Sequence, residues 1–374
     1  MRFLILNTDY PGFLEHLYRH DRELHKKPYE QQMRQRAESL FAVADFYSRN
    51  LRKLGHEAQE ICANNWFAQS AWARENGVRV PSHRTWSVRW FKGIMPLPGR
   101  SKDDHWIWEI LRAQIASYRP DVLLNQAMRK VPPRFLREVK PLTKLLVGQH
   151  AATPLPDSED WGCYDLVISS FPPTVRWFME RGIRSEIHRL GFEPEVLSRL
   201  VDTPQERLGI SFIGSLFSVH RSRIEFLEQV ARHFHLQIWA PTLDYVSHDS
   251  LLRKNYMGQA WGLQMYQLLR QSKLAINHHG DVAPYANNLR LYEATGVGAC
   301  LVTDWKPDIH ELFEPGREIV TYATVEECVE LIRYYLDNDE ERRTIARKGQ
   351  ERTLREHTYY RRMEELIEIL DRYV

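Results

Sequence analysis

Twice along the 374 residues, short apolar runs alternate with amphipathic helical stretches, and one polar linker separates the two series. In the first series FLIL (3–6) reads as a buried strand ended by the turn formers NTDYPG (7–12). A long amphipathic helix is expected over about 30–54, a strand at 57–62 and a helix at 65–76. A loop rich in Pro, Gly, Trp and Arg fills 81–103 and leads to a helix at 104–118. Strands at 121–126, 143–150 and 165–170 follow, then a helix at 172–182 that opens on proline and closes on glycine, then a strand at 187–190. Such alternation predicts a parallel sheet with helices on both faces.

After a linker at 191–207 the pattern restarts. Strands are expected at 208–214, 236–240, 273–279 and 299–304, helices at 220–234, 257–272 and 287–297, and 325–374 reads as nearly all helix. Two α/β halves of this kind predict a cleft between two doubly wound sheets, with ligands at the carboxyl ends of the strands.

Composition removes several functions. A net charge of +2 argues against a nucleic-acid partner held by bulk electrostatics. No run approaches 18 apolar residues, so no integral membrane segment is expected. Cys62, Cys163, Cys300 and Cys328 stand far apart without a CxxC, which reads as a reduced, cytoplasmic protein without a zinc site. Eight of the eleven tryptophans precede residue 190, so the first half carries either a bulky core or an aromatic-lined cleft.

Two places can carry chemistry. In SFIGSLFSVHRSRIEFL (211–227) a strand ends at Gly214-Ser215, and a helix opens near Arg221 and Arg223. A helix N-terminus offers free N–H groups and positive potential, and arginines add charge-assisted hydrogen bonds suited to a diphosphate. The alternative is an ordinary βα turn with solvated arginines. The segment matches neither the GxGxxG nor the Walker A pattern. In NNLRLYEATGVGACLVTDW (287–305), Glu293 sits on the inward face of an apolar helix, and a buried carboxylate needs a partner. Either Arg290, three residues earlier, forms a plain helical ion pair with it, or Glu293 accepts hydroxyl hydrogen bonds from a ribose.

These segments carry a resemblance. SKLAINHHG (272–280), NNLRLYEATGVGACLVTDW, IHELFEPGREIVTY (309–322) and the helical tail from Val325 are similar to the C-terminal half of GT-B glycosyltransferases. More narrowly they resemble the bacterial spore-maturation-like branch, and FIGSLFSVHRSRIEFLE and RLGFEPEVL (189–197) match the start of that half and its linker. The resemblance implies a GT-B fold: two Rossmann-like domains facing a cleft, an acceptor side at 1–190, a linker at 191–207, a donor side at 208–355, and a C-terminal helix at 356–374 crossing back to the first domain. It implies that Glu293 holds the donor ribose, that Asn288 and Arg290 lie near the diphosphate, and that Arg221 or Arg223 is a phosphate contact. Gly214, with Ser215, lets backbone approach the donor, and Trp239 borders the base. Many retaining members carry an acid eight residues before the ribose glutamate; Tyr285 stands there, so His278, His279 or Asp281 is expected to replace that contact.

In the first half His150, ending a strand in VGQHAATP, is either a structural histidine or a contact with the transferring sugar. Asp9 is a turn residue or an acceptor-binding acid or base. Trp86, Trp90, Trp106 and Trp108, interleaved with Arg84, Arg89, Lys92 and Arg100, line an acceptor groove or pack as a lid. Asp337-Asn338-Asp339 reads as a helix cap rather than a metal motif.

The activity implied is transfer of a sugar from a UDP- or GDP-type donor to a carbohydrate, protein or small-molecule acceptor. It is expected to retain configuration and to use cationic side chains with no metal or other cofactor. The alternatives are a nucleotide-sugar epimerase of the same architecture and a non-catalytic nucleotide-sugar or glycan-binding module. The base, the sugar, the acceptor and the oligomeric state are not legible in the residues.

Overall fold

The computed structural model describes residues 1–79, 84–91, 95–102, 105–151, 155–201, 208–282 and 284–373, with backbone alone for 84–91, 95–102 and 105. The first half runs β1 (Arg2–Asn7), α1 (Pro11–His20), α2 (Tyr29–Glu38), α3 (Phe46–Lys53), β2 (Glu57–Cys62), α4 (Trp66–Glu75), β3 (Arg84–Phe91), β4 (Met95–Lys102), α5 (His105–Tyr118), β5 (Val122–Asn125), α6 (Pro133–Val139), β6 (Leu145–Gln149), β7 (Leu166–Ser169), α7 (Pro172–Met179) and β8 (Ser185–Ile187). A short helix, α8 (Glu195–Arg199), leads to the second half. That half comprises β9 (Leu208–Ile213), α9 (Arg221–Ala231), β10 (Leu236–Trp239), α10 (Leu251–Lys254), β11 (Tyr256–Gly258), α11 (Leu263–Gln271), β12 (Ser272–Asn277), α12 (Arg290–Gly296), β13 (Cys300–Asp304) and β14 (Val320–Tyr322). Three helices close the chain: α13 (Val325–Asp337), α14 (Asp339–Glu356) and α15 (Tyr359–Leu370).

Each half builds a parallel six-stranded sheet, in the orders β2-β1-β5-β6-β7-β8 and β11-β10-β9-β12-β13-β14. Strands such as VLLN (β5) and LVIS (β7) are buried at every position, because helices cover both faces. Strand order reverses between β1 and β5 and again between β9 and β12, which opens a crevice at each carboxyl edge.

The sequence reading needs four local corrections. The helix expected over 30–54 is two helices. Leu40, Ala42 and Ala44 between them take left-handed φ values of 56°, 54° and 37°, and the Arg36 guanidinium ties the break by donating to the Ala44 carbonyl at 2.9 Å. The turn expected after β1 runs into α1, opened by Pro11 at its first position. The helix expected over 257–272 begins only at Leu263, after β11. Gly262 there has φ 52°, and a Cβ on it would lie 2.0 Å from the Ser39 carbonyl oxygen. Leu263 N donates to that same oxygen at 2.9 Å, so backbone meets backbone where the two halves join. Finally, 84–91 and 95–102, within the expected loop, pair antiparallel as β3 and β4 and join neither large sheet. Of the expected linker, 202–207 lies outside the described residues.

Helix α15 returns to the first half. Phe192 N donates to His357 O at 2.8 Å and Tyr359 N to Phe192 O at 2.9 Å, while the Tyr359 ring packs on Phe46 and Tyr47 at 5.2 and 5.6 Å. Among the described residues no helix is long and apolar enough to cross a membrane.

Candidate functional site: the cleft at the carboxyl edge of the second sheet

The carboxyl ends of β9, β10 and β12 deliver Gly214-Ser215, Trp239-Ala240 and His278-His279 to one edge, beside the reversal of strand order. A cavity of about 110 Å³ lies there, walled by Gly214, Ser215, Trp239 and Arg290 of the second half and by Tyr10 and Phe41 of the first. Phe41 stacks on Phe13 at 4.3 Å and meets Trp261 edge-on at 5.0 Å, which ties the two halves together beside the cavity. A larger hollow of about 590 Å³ lies at the amino ends of β12 and β13, between Lys273, Arg343 and Arg347, and contains none of the predicted site residues.

Arg290 is the partner of Glu293. Its Nη1 stands 2.9 Å from Glu293 Oε2, and its Nη2 donates to the Ile213 carbonyl at 2.8 Å. The ion-pair distance is short, yet Nη1 is not aligned for a hydrogen bond, and Nε also lacks an acceptor although both nitrogens are buried. Donors in that state on a cavity wall suit an anionic ligand. Glu293 is 5 % exposed and sits behind Arg290, not among the cavity-lining side chains. Burial pushes its carboxyl up, and the Arg290 guanidinium pulls it back down.

The two arginines of α9 separate cleanly. Arg221 points to solvent and pairs with Glu225 at 2.9 Å. Arg223 is buried and donates through Nε to His278 O at 2.8 Å and through Nη1 to Ser215 O at 2.9 Å. It thereby braces the loops after β9 and β12, and burial pushes its guanidinium down to about 10.

Four expected site residues have other neighbours. Asp281 accepts from the Ser222 backbone N–H at 3.1 Å and from its hydroxyl, so a carboxylate of the protein takes up a first-turn N–H of α9 that was expected to meet phosphate. His278 stacks on Phe226 at 4.6 Å, and its Nδ1 lies 3.0 Å from the Tyr322 hydroxyl, an arrangement of packing rather than of an open cleft. His279 is buried with Nδ1 2.7 Å from Asp304 Oδ1. Asn288 donates to Asn277 Oδ1 at 2.9 Å and accepts from Leu291 N at 3.3 Å, so it orients the start of α12.

In the first half Asp9 is no exposed acid. Both its oxygens accept from Arg36 at 2.6 Å, Cys62 Sγ lies 3.0 Å away, and the Asp9–Arg36 pair holds the break that carries Phe41. Nearby Glu60, with Oε2 3.9 Å from Arg36, is pushed up to about 8 by burial. His150 follows β6, half-buried, with its N–H donating to Ile168 O at 3.2 Å. Trp106 is core, edge-on to Trp66 at 4.9 Å, and Trp108 packs near Phe135 at 5.1 Å. The groove expected from Arg84, Trp86, Arg89, Trp90, Lys92 and Arg100 falls on side chains outside the described residues. Asn338 does stand at the junction of α13 and α14, and Asp339 pairs with Arg342.

Residues 221–368 match the family profile described as "Glycosyl transferase-like". No curated protein sequence matches the chain. Among solved structures, a glycosyltransferase from Rickettsia africae is similar over 98% of this chain and 97% of its own, at 10% identity and TM-score 0.59. Anabaena Alr3699/HepE, solved with UDP and glucose, is similar over 99% of both chains at 13% identity and TM-score 0.58. AviGT4, a glycosyltransferase of avilamycin A biosynthesis, covers 100% of this chain and 98% of its own at 14% identity and TM-score 0.57. The fold is GT-B. In GT-B terms the cavity lies between the two Rossmann-like halves, and Arg290 opens a helix on the wall of the second.

Tyr10, Phe41 and Trp261 are wall residues that sequence reasoning missed. Their only signal was aromatic content beside turn formers, and their meeting depends on the break after α2.

Proposed function

We propose that the protein transfers a glycosyl group from a nucleotide-diphosphate sugar to an acceptor, with retention of configuration and without a metal. The observation that carries this reading is Arg290: a cavity-wall guanidinium whose buried Nε has no acceptor, paired through Nη1 with Glu293 and set at the carboxyl edge of a GT-B second domain. In such a transfer the diphosphate leaves as charge grows on its oxygens, and preorganised donors stabilise that charge. Arg290 fills this role. Arg223 acts one step away, because it fixes the loops after β9 and β12 that the donor must touch. A UDP-type donor is favoured by the UDP and UDP-glucose complexes of Alr3699/HepE. The aromatic slot of Trp239 and Tyr10 suits a planar base. His150 is assigned to the sugar or acceptor side of the cleft, and the acceptor is a carbohydrate, protein or small molecule.

The test is incubation with UDP-glucose, UDP-N-acetylglucosamine and GDP-mannose, following free nucleotide and donor sugar together. Nucleotide release that is abolished in Arg290→Ala supports transfer. A changed sugar still joined to its nucleotide replaces this reading with epimerisation, and binding without turnover replaces it with a carrier or sensor module.

A further inference from the structure

Residues 79–102 hold six basic residues, Arg79, Arg84, Arg89, Lys92, Arg100 and Lys102, and no acid. The rest of the chain then has 45 basic against 49 acidic residues, so the positive net charge is a local property of this one run. The same run carries Trp86, Trp90 and Phe91. Its backbone forms the β3–β4 hairpin, with Trp86 opposite Arg100 and Trp90 opposite Pro96, and neither strand joins a large sheet.

The helices on either side of the hairpin start side by side. Helix α4 leaves the carboxyl end of β2, and α5, entered from β4, begins beside it: Trp106 in the first turn of α5 meets Trp66 in the first turn of α4. The return strand therefore delivers the chain to the carboxyl edge of the first sheet, where the first half faces the cleft.

We propose that the β3–β4 hairpin docks this protein on an anionic phospholipid surface. Two separate requirements name that occupant. Six cations without an acid call for an array of negative charge, and an anionic leaflet attracts such a segment over about a Debye length. Trp86 and Trp90, four residues apart and so on one face of β3 with Val88, call for a boundary that is apolar on one side and wet on the other, which headgroups provide. A nucleic acid meets the first requirement, and a neutral glycan meets neither the charge nor its density. Docking does not depend on the transfer reading; if that reading also holds, the hairpin brings the cleft down to a lipid-borne acceptor.

The experiment is co-sedimentation of the full chain with vesicles of equal parts phosphatidylglycerol and phosphatidylcholine, and with phosphatidylcholine alone. Binding is expected to the anionic vesicles only, and to weaken at least about tenfold when salt is raised. The same loss is expected in Arg84→Glu/Arg89→Glu/Arg100→Glu and in Trp86→Ser/Trp90→Ser, with thermal melting unchanged. If the charge-reversed variant does not fold, the tryptophan variant decides alone. A chain that stays in the supernatant with both vesicles, or variants that sediment like the parent, overturns the proposal. So does tighter binding to a single-stranded oligonucleotide than to the vesicles. Because no donor is present, failure here leaves the nucleotide-release assay untouched.

Discussion

Arg176 of the first half donates to the Tyr285 hydroxyl of the second at 3.1 Å, and Phe171 meets the Tyr285 ring edge-on at 5.8 Å. Tyr285 stands eight residues before Glu293, and it reaches across to the other half. Tyr285→Phe keeps the ring contact and is expected to change stability by less than about 1 kcal/mol. Tyr285→Ala removes both contacts and should widen the cleft, read as a larger radius of gyration by X-ray scattering. An unchanged radius in Tyr285→Ala would show that other contacts alone hold the halves.

Glu293 pairs with Arg290 at 2.9 Å and lies behind it, off the cavity wall. Calorimetric titration with UDP should show about 10- to 100-fold weaker binding for Glu293→Ala, the loss of a charge-assisted contact. Arg290→Ala should weaken binding at least as much. The double variant should be no worse than Arg290→Ala, since the two residues work as one unit. Losses that add would mean that Glu293 touches the nucleotide itself.

The Asp9–Arg36 pair is buried, and removal of one partner leaves an uncompensated charge. Asp9→Ala is expected to lower stability by about 3–5 kcal/mol in urea melts. A variant of unchanged stability that fails only in acceptor use would instead return Asp9 to the acceptor side.

His357 lies under α15, with Nε2 2.8 Å from Leu312 O and Nδ1 2.8 Å from Arg362 Nη2. Burial pushes it down to about 4. In the unfolded chain an imidazole takes up its proton near pH ~6.5. Between those values the unfolded state binds more protons, so His357 costs stability as pH falls, by up to about 3 kcal/mol at pH 4. His188, also pushed down to about 4 by burial, adds the same sign, and Glu60 opposes both because its buried carboxyl is raised. The clean readout is therefore a difference: His357→Gln should show a shallower loss of stability between pH 6.5 and 4 than the parent. Parallel curves would contradict neutral burial of His357.

Strands were the most legible part of this chain, because FLIL, VLLN and LVIS are buried on both faces and so read as unbroken apolar runs. The pairing of Arg290 with Glu293 was legible for the same local reason, since residues three apart share a helix face. The break after α2 was not: the 30–54 periodicity continues through it, and the left-handed φ values at Leu40, Ala42 and Ala44 go with contacts from outside the window, such as Leu263 N on Ser39 O, and with the Arg36 tie to Ala44 O.

By itself the sequence determined two parallel α/β halves and which loops end at their carboxyl edges, because backbone hydrogen bonding and burial impose short repeats that a local window records. Tertiary structure alone decided that Arg223 is buried while Arg221 is solvated, that Asp9 faces Arg36, and that Tyr10 and Phe41 close a cavity against Trp239 and Arg290. Those outcomes depend on contacts between residues far apart in the chain, whose energies no local repeat encodes.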